Sequence, residues 1–275
     1  MLLLVVLIAI YSITSTATSS SAKTFHDRNA VHQQEAFTYG ILSTVAGTIA
    51  GGGSSLDGIL ATTAKLINPS SIIMDTSGNF YISDRDSHRI MKVSTSSGLI
   101  TAVAGTGVEG YSGDGGEAVN AKVDSPVGIQ FDKSGNLYFA DPAVHRIRKI
   151  TMSTGIITTV AGNVDNLFDK DNVAATSTTL WGPNDVALDS DGNIYIADTY
   201  YHRIRKVTAS TGIITTVAGN GTSNEENIRG PIVATATSVY RPIGIALDKS
   251  ANIFIVSDSK YRIYKVTAST GITTT

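Results

Sequence analysis

Histidines at a regular spacing are the first residues in this sequence that could do chemistry. His88, His145 and His202 stand 57 residues apart, and imidazole is both a metal ligand and a proton-transfer group. Each of the three begins a predicted strand, and each lies in a different copy of a repeated unit. If the copies are arranged around an axis, this strand lies away from it. Side chains at equivalent places in separate copies are then not expected to converge on one ion. The pattern therefore favours a structural role over a metal or catalytic site.

An aspartate and an arginine recur five residues apart in the same three copies, and their opposite charges could form an ion pair. The pairs are Asp84 with Arg89, Asp141 with Arg146, and Asp198 with Arg203. A predicted turn separates the two residues, so we expect their side chains to face each other across it. Removing one partner of a partly buried pair leaves an uncompensated charge. The spacing therefore predicts a structural ion pair in each copy.

An acidic turn, Asp-Ser-Asp-Gly-Asn at residues 189–193, resembles the first part of a calcium-binding loop. The EF-hand loop also needs a glutamate at its twelfth position, where this sequence has Tyr200. Asp, Gly and Asn are also typical of a tight turn between strands. We therefore interpret the segment as a hairpin turn and expect no metal-binding residues in it.

The composition excludes several kinds of function. A length of 275 residues allows one or two domains. A net charge of -2 gives no electrostatic reason to expect a nucleic-acid partner. The chain has no cysteine, which excludes disulfides, thiolate zinc sites, iron–sulfur clusters and cysteine nucleophiles.

The body of the chain is one unit repeated four times. The tripeptide Val-Ala-Gly begins at Val45, Val103, Val160 and Val217, at steps of 58, 57 and 57 residues, and a fixed period is the signature of a repeat architecture. Each copy reads as four short runs of β-branched and aromatic residues separated by turn formers. The third copy has these runs at 184–189, 194–198, 202–207 and 213–218. Four antiparallel strands per copy predict an all-β fold, a β-propeller of four-stranded blades.

The copies resemble NHL repeats, which build β-propellers in exported and intracellular proteins. The third copy has Gly-Asn-Ile-Tyr-Ile-Ala-Asp at 192–198, then His-Arg-Ile-Arg-Lys-Val at 202–207; the second copy has close counterparts at 135–141 and 145–150. The loop Tyr-Ser-Gly-Asp-Gly-Gly at 111–116 is also similar to an inter-blade loop of this family. The resemblance covers residues 41–275. It implies the fold far more than the function.

The fourth copy departs from the pattern, and the number of blades stays open. Ala251 replaces the turn glycine, Ser257 takes the aspartate position, and Tyr261 replaces histidine. One more strand, equivalent in sequence to the fourth strand of a copy, is predicted at Ile41 to Ala46, before the first of four full blades. Two arrangements fit: a ring closed with four or five blades, or an open arc or fragment of a larger propeller. An open arc would expose strand edges through which chains could self-associate.

The N-terminus predicts export. Leu2 to Ile10 is an unbroken apolar run, too short for a membrane-spanning helix but typical of a secretory signal. No Lys or Arg precedes it, and an uncleaved anchor is the alternative. We predict a signal peptide over 1–22, a linker over 23–40, the propeller over 41–275, and a secreted protein with no membrane span after signal removal.

Residues that the repeat does not dictate are the candidates for binding. Two residues before the repeated proline stand Ile67, Asp124, Trp181 and Tyr240, and Arg241 follows the last of these. Trp, Tyr and Arg are typical of interface hot spots, although Trp181 and Tyr240 could instead pack between blades. We predict ligand binding by five residues: Asp124, Trp181, Asp185, Tyr240 and Arg241. The ligand is a protein or another molecule, with no cofactor and no catalytic residues.

The resemblance also implies an alternative function. Propeller enzymes of the gluconolactonase and paraoxonase types, and an NHL-type lyase, hold a metal on the central axis. The plausible axial pair here is Asn184 and Asp185, and the equivalent places in the other copies do not complete a ligand set. A metal-dependent lyase or lactonase is therefore the alternative to a non-catalytic interaction module.

Overall fold

The computed structural model describes residues 43–48, 57–163, 170–223, 231–258 and 262–274. These residues form four antiparallel sheets, each a blade whose four full strands pair in chain order. The all-β propeller architecture predicted from the repeat is confirmed. The predicted signal peptide and linker, residues 1–40, lie outside the described residues and stay predictions. No helix among the described residues is long and apolar enough to cross a membrane.

The four full strands of each blade run from inner to outer in chain order, and in blades 1, 3 and 4 a short strand that precedes them in the chain pairs outside the last one. Blade 1 contains β1 (Ile59–Leu60), β2 (Pro69–Met74), β3 (Phe80–Asp84), β4 (Arg89–Val93) and β5 (Leu99–Ala104). Blade 2 contains β6 (Val127–Phe131), β7 (Leu137–Asp141), β8 (Arg146–Thr151) and β9 (Ile156–Ala161). Blade 3 contains β10 (Val173–Ala174), β11 (Pro183–Leu188), β12 (Ile194–Asp198), β13 (Arg203–Val207) and β14 (Ile213–Ala218). Blade 4 contains β15 (Ile232–Val233), β16 (Pro242–Leu247), β17 (Ile253–Ser257), β18 (Arg262–Thr267) and β19 (Ile272–Thr274).

The turn between the first two full strands of a blade is held by one aspartate. In blade 3, Oδ1 of Asp189 accepts hydrogen bonds from the backbone N–H groups of Asp191 and Asn193, and Oδ2 accepts from the Asn193 side chain at 2.7 Å. Gly192 has a φ of 81°, which glycine adopts without strain. The same bonds recur at Asp75, Asp132 and Asp248. In blade 4, Ala251 takes the glycine position with a φ of 58°, a conformation disfavoured for alanine.

The core lies between the blades. Side chains alternate along each strand, so every blade has a leading face towards the preceding blade and a trailing face towards the following one. On β12, Ile194 and Ile196 pack in the cluster shared with blade 2, whereas Tyr195 and Ala197 pack in the cluster shared with blade 4. Burial of these alternating apolar residues is what joins consecutive blades.

The connections between blades are more ordered than the sequence predicts. The four strands predicted for each copy include none in these connections, but the structure has β1, β10 and β15 there, each paired to the outer strand of its own blade. The 3-10 helices of the four blades are Ala61–Thr63, Arg85–Ser87, Ala118–Asn120, Pro142–Val144, Ala175–Ser177 and Ala234–Ala236.

The prediction of a strand at Ile41 to Ala46 is wrong for residues 43–46, the part of it that the structure describes. Residues 43–46 form no strand, because no described neighbouring strand pairs with them. Gly47 nevertheless donates its N–H to the carbonyl of Ala61 at 2.9 Å. Gly105 makes the same contact with Ala118 at 3.0 Å, at the end of the outer strand of blade 1.

Candidate functional site

A histidine joins each of the first three blades to the next one. His88, His145 and His202 follow a short turn after the second full strand and have φ values of 52°, 58° and 55°. Their Nδ1 atoms accept hydrogen bonds from backbone N–H groups in the loop that enters the next blade. The donors are Ser125 at 3.3 Å, Gly182 at 3.1 Å and Arg241 at 3.1 Å. We call this contact the histidine clasp.

The histidine clasp requires a neutral imidazole. Nδ1 can accept only while it carries no proton, so the ring proton lies on Nε2. Burial lowers the pKa of His145 and His202 below the ordinary value of 6.5, and the neighbouring Arg146 and Arg241 lower it further. The clasp gives these histidines a structural task.

The predicted pairing of aspartate with arginine is wrong in its partner. NH1 of Arg148, not of Arg146, lies 3.6 Å from Oδ2 of Asp141, and Arg205 is placed in the same way beside Asp198 at 3.6 Å. Arg146 instead places its guanidinium 3.7 Å from the centre of the Tyr111 ring. Arg146 lies opposite Asp141 in the backbone, and Arg148, two residues further along β8, is on the same face of the sheet. The Arg146 side chain is directed to the Tyr111 ring, so Arg148 is the one that reaches Asp141.

The buried arginines also hold the loop at the outer edge of their blade. Arg148 and Arg205 are fully buried, and their NH2 groups donate to Asp114 at 2.7 Å and Asp171 at 2.8 Å. Burial raises the pKa of Asp141 to about 7, although the N–H of Asp124 and the Arg148 charge oppose the shift. These contacts stabilise the blade.

Blade 1 lacks this arrangement. Met91 stands where blades 2 and 3 have arginine, while both acidic partners remain, as Asp84 and Asp57. Oδ1 of Asp84 accepts from the backbone N–H groups of Ile67 and Asn68 at 2.8 Å. Its buried Oδ2 makes no hydrogen bond, and neither do the equivalent atoms of Asp141 and Asp198, but those two lie 3.6 Å from an arginine nitrogen.

Asp185, one of the five predicted ligand-binding residues, bridges two inner strands. A bulge interrupts the pairing of β11 with β12 between Pro183 and Asp185, and another interrupts the pairing of β16 with β17 between Pro242 and Gly244. Oδ1 accepts from Val186 and Oδ2 accepts from Ile245 in blade 4, both at 2.9 Å. Burial raises the pKa of Asp185 to about 7 against the effect of these two donors. Ser71 forms a longer counterpart, with its Oγ accepting from Ile129 of blade 2 at 3.4 Å.

Trp181, Tyr240 and Arg241, three of the predicted residues, meet on one surface of blades 3 and 4. The Trp181 ring centre lies 5.6 Å from the ring centres of Tyr200 and Tyr201, and the guanidinium of Arg241 lies 5.3 Å from the Tyr200 ring centre. Tyr240 stacks on His202 at 4.8 Å. We call Trp181, Tyr200, Tyr201, His202, Tyr240 and Arg241 the aromatic patch.

The backbone fixes Trp181 while leaving its ring accessible. Its N–H donates to Oδ1 of Asp198 at 2.7 Å, and its carbonyl accepts from the N–H of Tyr200 at 3.0 Å. Half of the Trp181 surface and 45% of the Tyr200 surface remain exposed. Gly182 must be small, because a Cβ at this position would lie 2.6 Å from two carbons of the Tyr200 ring.

Asp124 lies apart from the aromatic patch, between blades 1 and 2. Its Oδ1 is 3.4 Å from Nδ1 of His88, and a carboxylate oxygen of Glu109 comes close enough to join them in a candidate metal-binding group. Glu109 is exposed, and the Nδ1 atom of His88 already accepts from Ser125. Among the described residues, this is the one cluster of three His, Asp or Glu side chains with such spacing.

Sequence reasoning missed Tyr200 and Tyr201, and assigned His202 to structure alone. Tyr200 and Tyr201 lie in the turn between β12 and β13, which the repeat marks only as a connection. A usable signal was present, because the same turn reads Arg-Asp-Ser in blade 1 and Pro-Ala-Val in blade 2. Two adjacent aromatic residues at a variable turn position indicate a surface feature particular to blade 3.

Comparisons with known proteins agree with this fold. The family profile described as the Teneurin NHL domain matches residues 107–170, and that described as the NHL repeat matches residues 180–207. The chain is 29% identical over 239 residues to Protein SUPPRESSOR OF QUENCHING 1, chloroplastic, of Arabidopsis thaliana, covering 84% of this chain and 22% of that protein. It is 34% identical over 139 residues to Teneurin-3 of Mus musculus, covering 44% of this chain and 5% of the teneurin.

A solved structure supports the architecture alone. The crystal structure titled Nidogen/Laminin Complex superposes with a TM-score of 0.54 at 15% identity, covering 79% of this chain and 65% of that one. The chain spans less than a quarter of the two curated relatives above.

Proposed function

We propose that this chain, a member of the NHL-repeat β-propeller family, is an exported, non-catalytic module that binds a protein partner through the aromatic patch. The observation that carries the proposal is the exposure of Trp181 and Tyr200 beside the guanidinium of Arg241. Buried Trp, Tyr and Arg supply much of the binding free energy at protein interfaces. Exposed aromatic rings on a fixed backbone offer this contact area at little entropic cost.

The patch is prepared for binding in its unbound state. The Trp181 backbone is held on both sides, by Asp198 and by Tyr200, and the Arg241 side chain lies 3.3 Å from Asp258. Ordering mobile side chains on association costs free energy. A patch whose side chains already contact one another avoids part of that cost.

Peptide selection tests the binding role even while the partner is unidentified. Peptides from a random phage-displayed library are enriched on the wild-type protein, and the affinity of the enriched peptides is measured by calorimetry. We expect Trp181→Ala to weaken binding at least tenfold, about 1.4 kcal/mol. Val119→Ala, at an exposed valine outside the patch, serves as the matched control. Peptides that bind Trp181→Ala as tightly as the wild type would show that the patch is not the binding site.

The alternative, a metal-dependent lyase or lactonase, has its own test. Native mass spectrometry with elemental analysis of the purified protein detects a stoichiometric metal ion. A bound ion lost in Asp124→Asn would place it beside His88 and Glu109, and one lost in Asp185→Asn would place it at the inner strands. Either result would favour the enzyme over the non-catalytic module.

Export is tested on the expressed full chain. A secreted protein whose N-terminal residue is near Lys23 would support cleavage of the predicted signal over 1–22. Retention of the intact N-terminus in a membrane fraction would instead indicate an uncleaved anchor.

A further inference from the structure

The trailing face of blade 4 exposes apolar side chains that the other blades bury against the next blade, and the described residues do not cover it. Ile263 occupies the place of Ile90, Ile147 and Ile204, at the second residue of the third full strand in each blade. Those three isoleucines are fully buried at 0% exposure, whereas Ile263 is 62% exposed. The isoleucine at this position is thus buried at an interface in blades 1 to 3 and exposed in blade 4.

Neighbouring positions on this face show the same contrast. Ala246 is exposed, whereas its counterpart Ala187 is buried against blade 4. Phe254 is partly exposed, whereas its counterpart Tyr195 is buried. Phe254 keeps the lysine that lies over this ring in the other blades, with Nζ of Lys265 5.6 Å from the ring centre.

The leading face of blade 1 is incomplete in the complementary way. Ile72 is 44% exposed, whereas its counterparts Ile129, Val186 and Ile245 are 5%, 2% and 9% exposed. Those three pack against the trailing face of the preceding blade.

Part of the leading face of blade 1 is covered by residues 43–48. Ala46 packs against the apolar cluster of blade 1, as Ala104 packs in the cluster between blades 1 and 2. Gly47 makes the backbone contact with Ala61 that Gly105 makes with Ala118. Residues 43–48 therefore lie where the outer strand of a preceding blade would end, and the described residues do not include the inner strands of such a blade.

We propose that the occupant of both faces is a second copy of this chain, with the trailing face of its blade 4 packed on the leading face of blade 1. The contact would repeat the interface that already exists three times within the chain, since each is a trailing face on a leading face of the same repeat. Exposed apolar faces of this kind mark interaction sites. This contact is between sheet faces, and it differs from pairing of strand edges.

Such a contact is head to tail, so each copy offers two different surfaces. A complementation experiment uses this property. Ile263→Asp places a charge on the trailing face and leaves the leading face intact, and Ile72→Asp does the reverse. Each variant alone has no intact pair of faces, but a mixture offers one.

The measurement is mass by analytical ultracentrifugation of the full chain over a range of concentrations. We expect the wild type and the control Val119→Asp to self-associate with rising concentration, Ile263→Asp and Ile72→Asp to be monomeric alone, and their equimolar mixture to form a one-to-one dimer. Dimer formation in the mixture would also show that both variants are folded.

Three results would overturn the proposal. The wild type could be monomeric at the highest concentration that stays in solution. Both single variants could self-associate as the wild type does, which would indicate edge pairing instead. Or the mixture could remain monomeric while circular dichroism shows both variants folded.

Discussion

Asp185 joins the inner strands of two neighbouring blades: its Oδ2 accepts a hydrogen bond from the backbone N–H of Ile245 at 2.9 Å. The bulge at the start of each inner strand exposes these N–H groups, and a carboxylate with two oxygens can satisfy one in each blade. The contact makes Asp185 a determinant of how blades 3 and 4 meet, and its role in ligand binding stays a prediction.

The stability of the protein should depend on pH through Asp185. Burial raises the pKa of Asp185 from 3.8 to about 7, so the folded state binds this proton more tightly than the unfolded chain. Its favourable contribution is complete below about pH 4 and is lost as the pH rises through 7. We expect the unfolding free energy of the wild type relative to Asp185→Asn to fall by about 2–4 kcal/mol from pH 4 to pH 7. Urea unfolding at several pH values measures this difference. Asp191→Asn, at an exposed turn in the same blade, is the control, and a difference that rises with pH would contradict the prediction.

His145 should produce the opposite trend. Burial lowers its pKa below 6.5, so the folded state disfavours the protonated ring, and stability is lost as the pH falls below 6.5 through the folded pKa. His145→Asn keeps an acceptor oxygen near the Gly182 N–H, suits a positive φ and cannot titrate. We expect the wild type to lose stability relative to His145→Asn between pH 7 and pH 5.

The alanine variant separates the hydrogen bond from the titration. His145→Ala leaves the buried N–H of Gly182 without its acceptor, which costs about 1–3 kcal/mol. Equal stability of His145→Ala and the wild type at pH 8 would show that the histidine clasp contributes nothing.

Removing a buried arginine should lower the stability of the protein, and introducing one in blade 1 should raise it. Arg148→Met leaves Asp141 and Asp114 without their shared partner, and we expect a loss of about 3 kcal/mol in unfolding free energy by urea titration. In the double variant Arg148→Met with Asp141→Asn, part of that loss should be recovered. Recovery would fail if Arg148 acted only through its packing.

Met91→Arg is the matched gain. It places a guanidinium between Asp84 and Asp57, as Arg148 lies between Asp141 and Asp114, and supplies an ion-pair partner for Asp84. We expect stability to rise by about 1 kcal/mol. Adding Asp84→Asn to Met91→Arg should remove the gain, and Met91→Leu controls for the apolar volume. A lower stability for Met91→Arg than for Met91→Leu would show that blade 1 cannot accommodate the buried charge.

Fluorescence can report on the aromatic patch directly, because Trp181 is the only tryptophan in the chain. Gly182→Ala forces the Tyr200 ring away from its position 2.6 Å from the new Cβ. We expect the Trp181 emission to shift to longer wavelength as the ring gains contact with water. Gly212→Ala, at a turn glycine with open space around it and a similar positive φ, is the control. Equal shifts in the two variants would mean that the effect reflects backbone strain alone.

The repeat predicts the blades well because strands and turns are local. Residues 194–198 and 213–218 form strands with the predicted bounds, since alternation and turn formers act over a few positions. The short strands in the inter-blade connections were missed because Ile59–Leu60 and its counterparts are too short for any periodicity and pair only with a distant outer strand.

The site was predictable only in part, for a geometric reason. Trp181, Tyr240 and Arg241 lie on one surface because the positions before the repeated proline are at one end of adjacent blades, and their role in binding stays a prediction. Which arginine meets Asp141 depends on side-chain direction across β7 and β8, and sequence separation does not contain it. Asp185 stood out by its type, but the donor it meets in blade 4 is 60 residues away.

The histidine clasp and the Asp185 bridge each connect a blade to its immediate neighbour. A pulling force applied between blade 1 and blade 4 would therefore pass through the three interfaces in series, and no interface would share the load of another. Under tension, the interface with the fewest such links would open first while the others stayed closed. Blades 3 and 4 are joined by both the His202 clasp and Asp185, whereas the described bonds of these two types between blades 2 and 3 comprise the His145 clasp alone. Under tension, the blades would therefore separate first between blades 2 and 3.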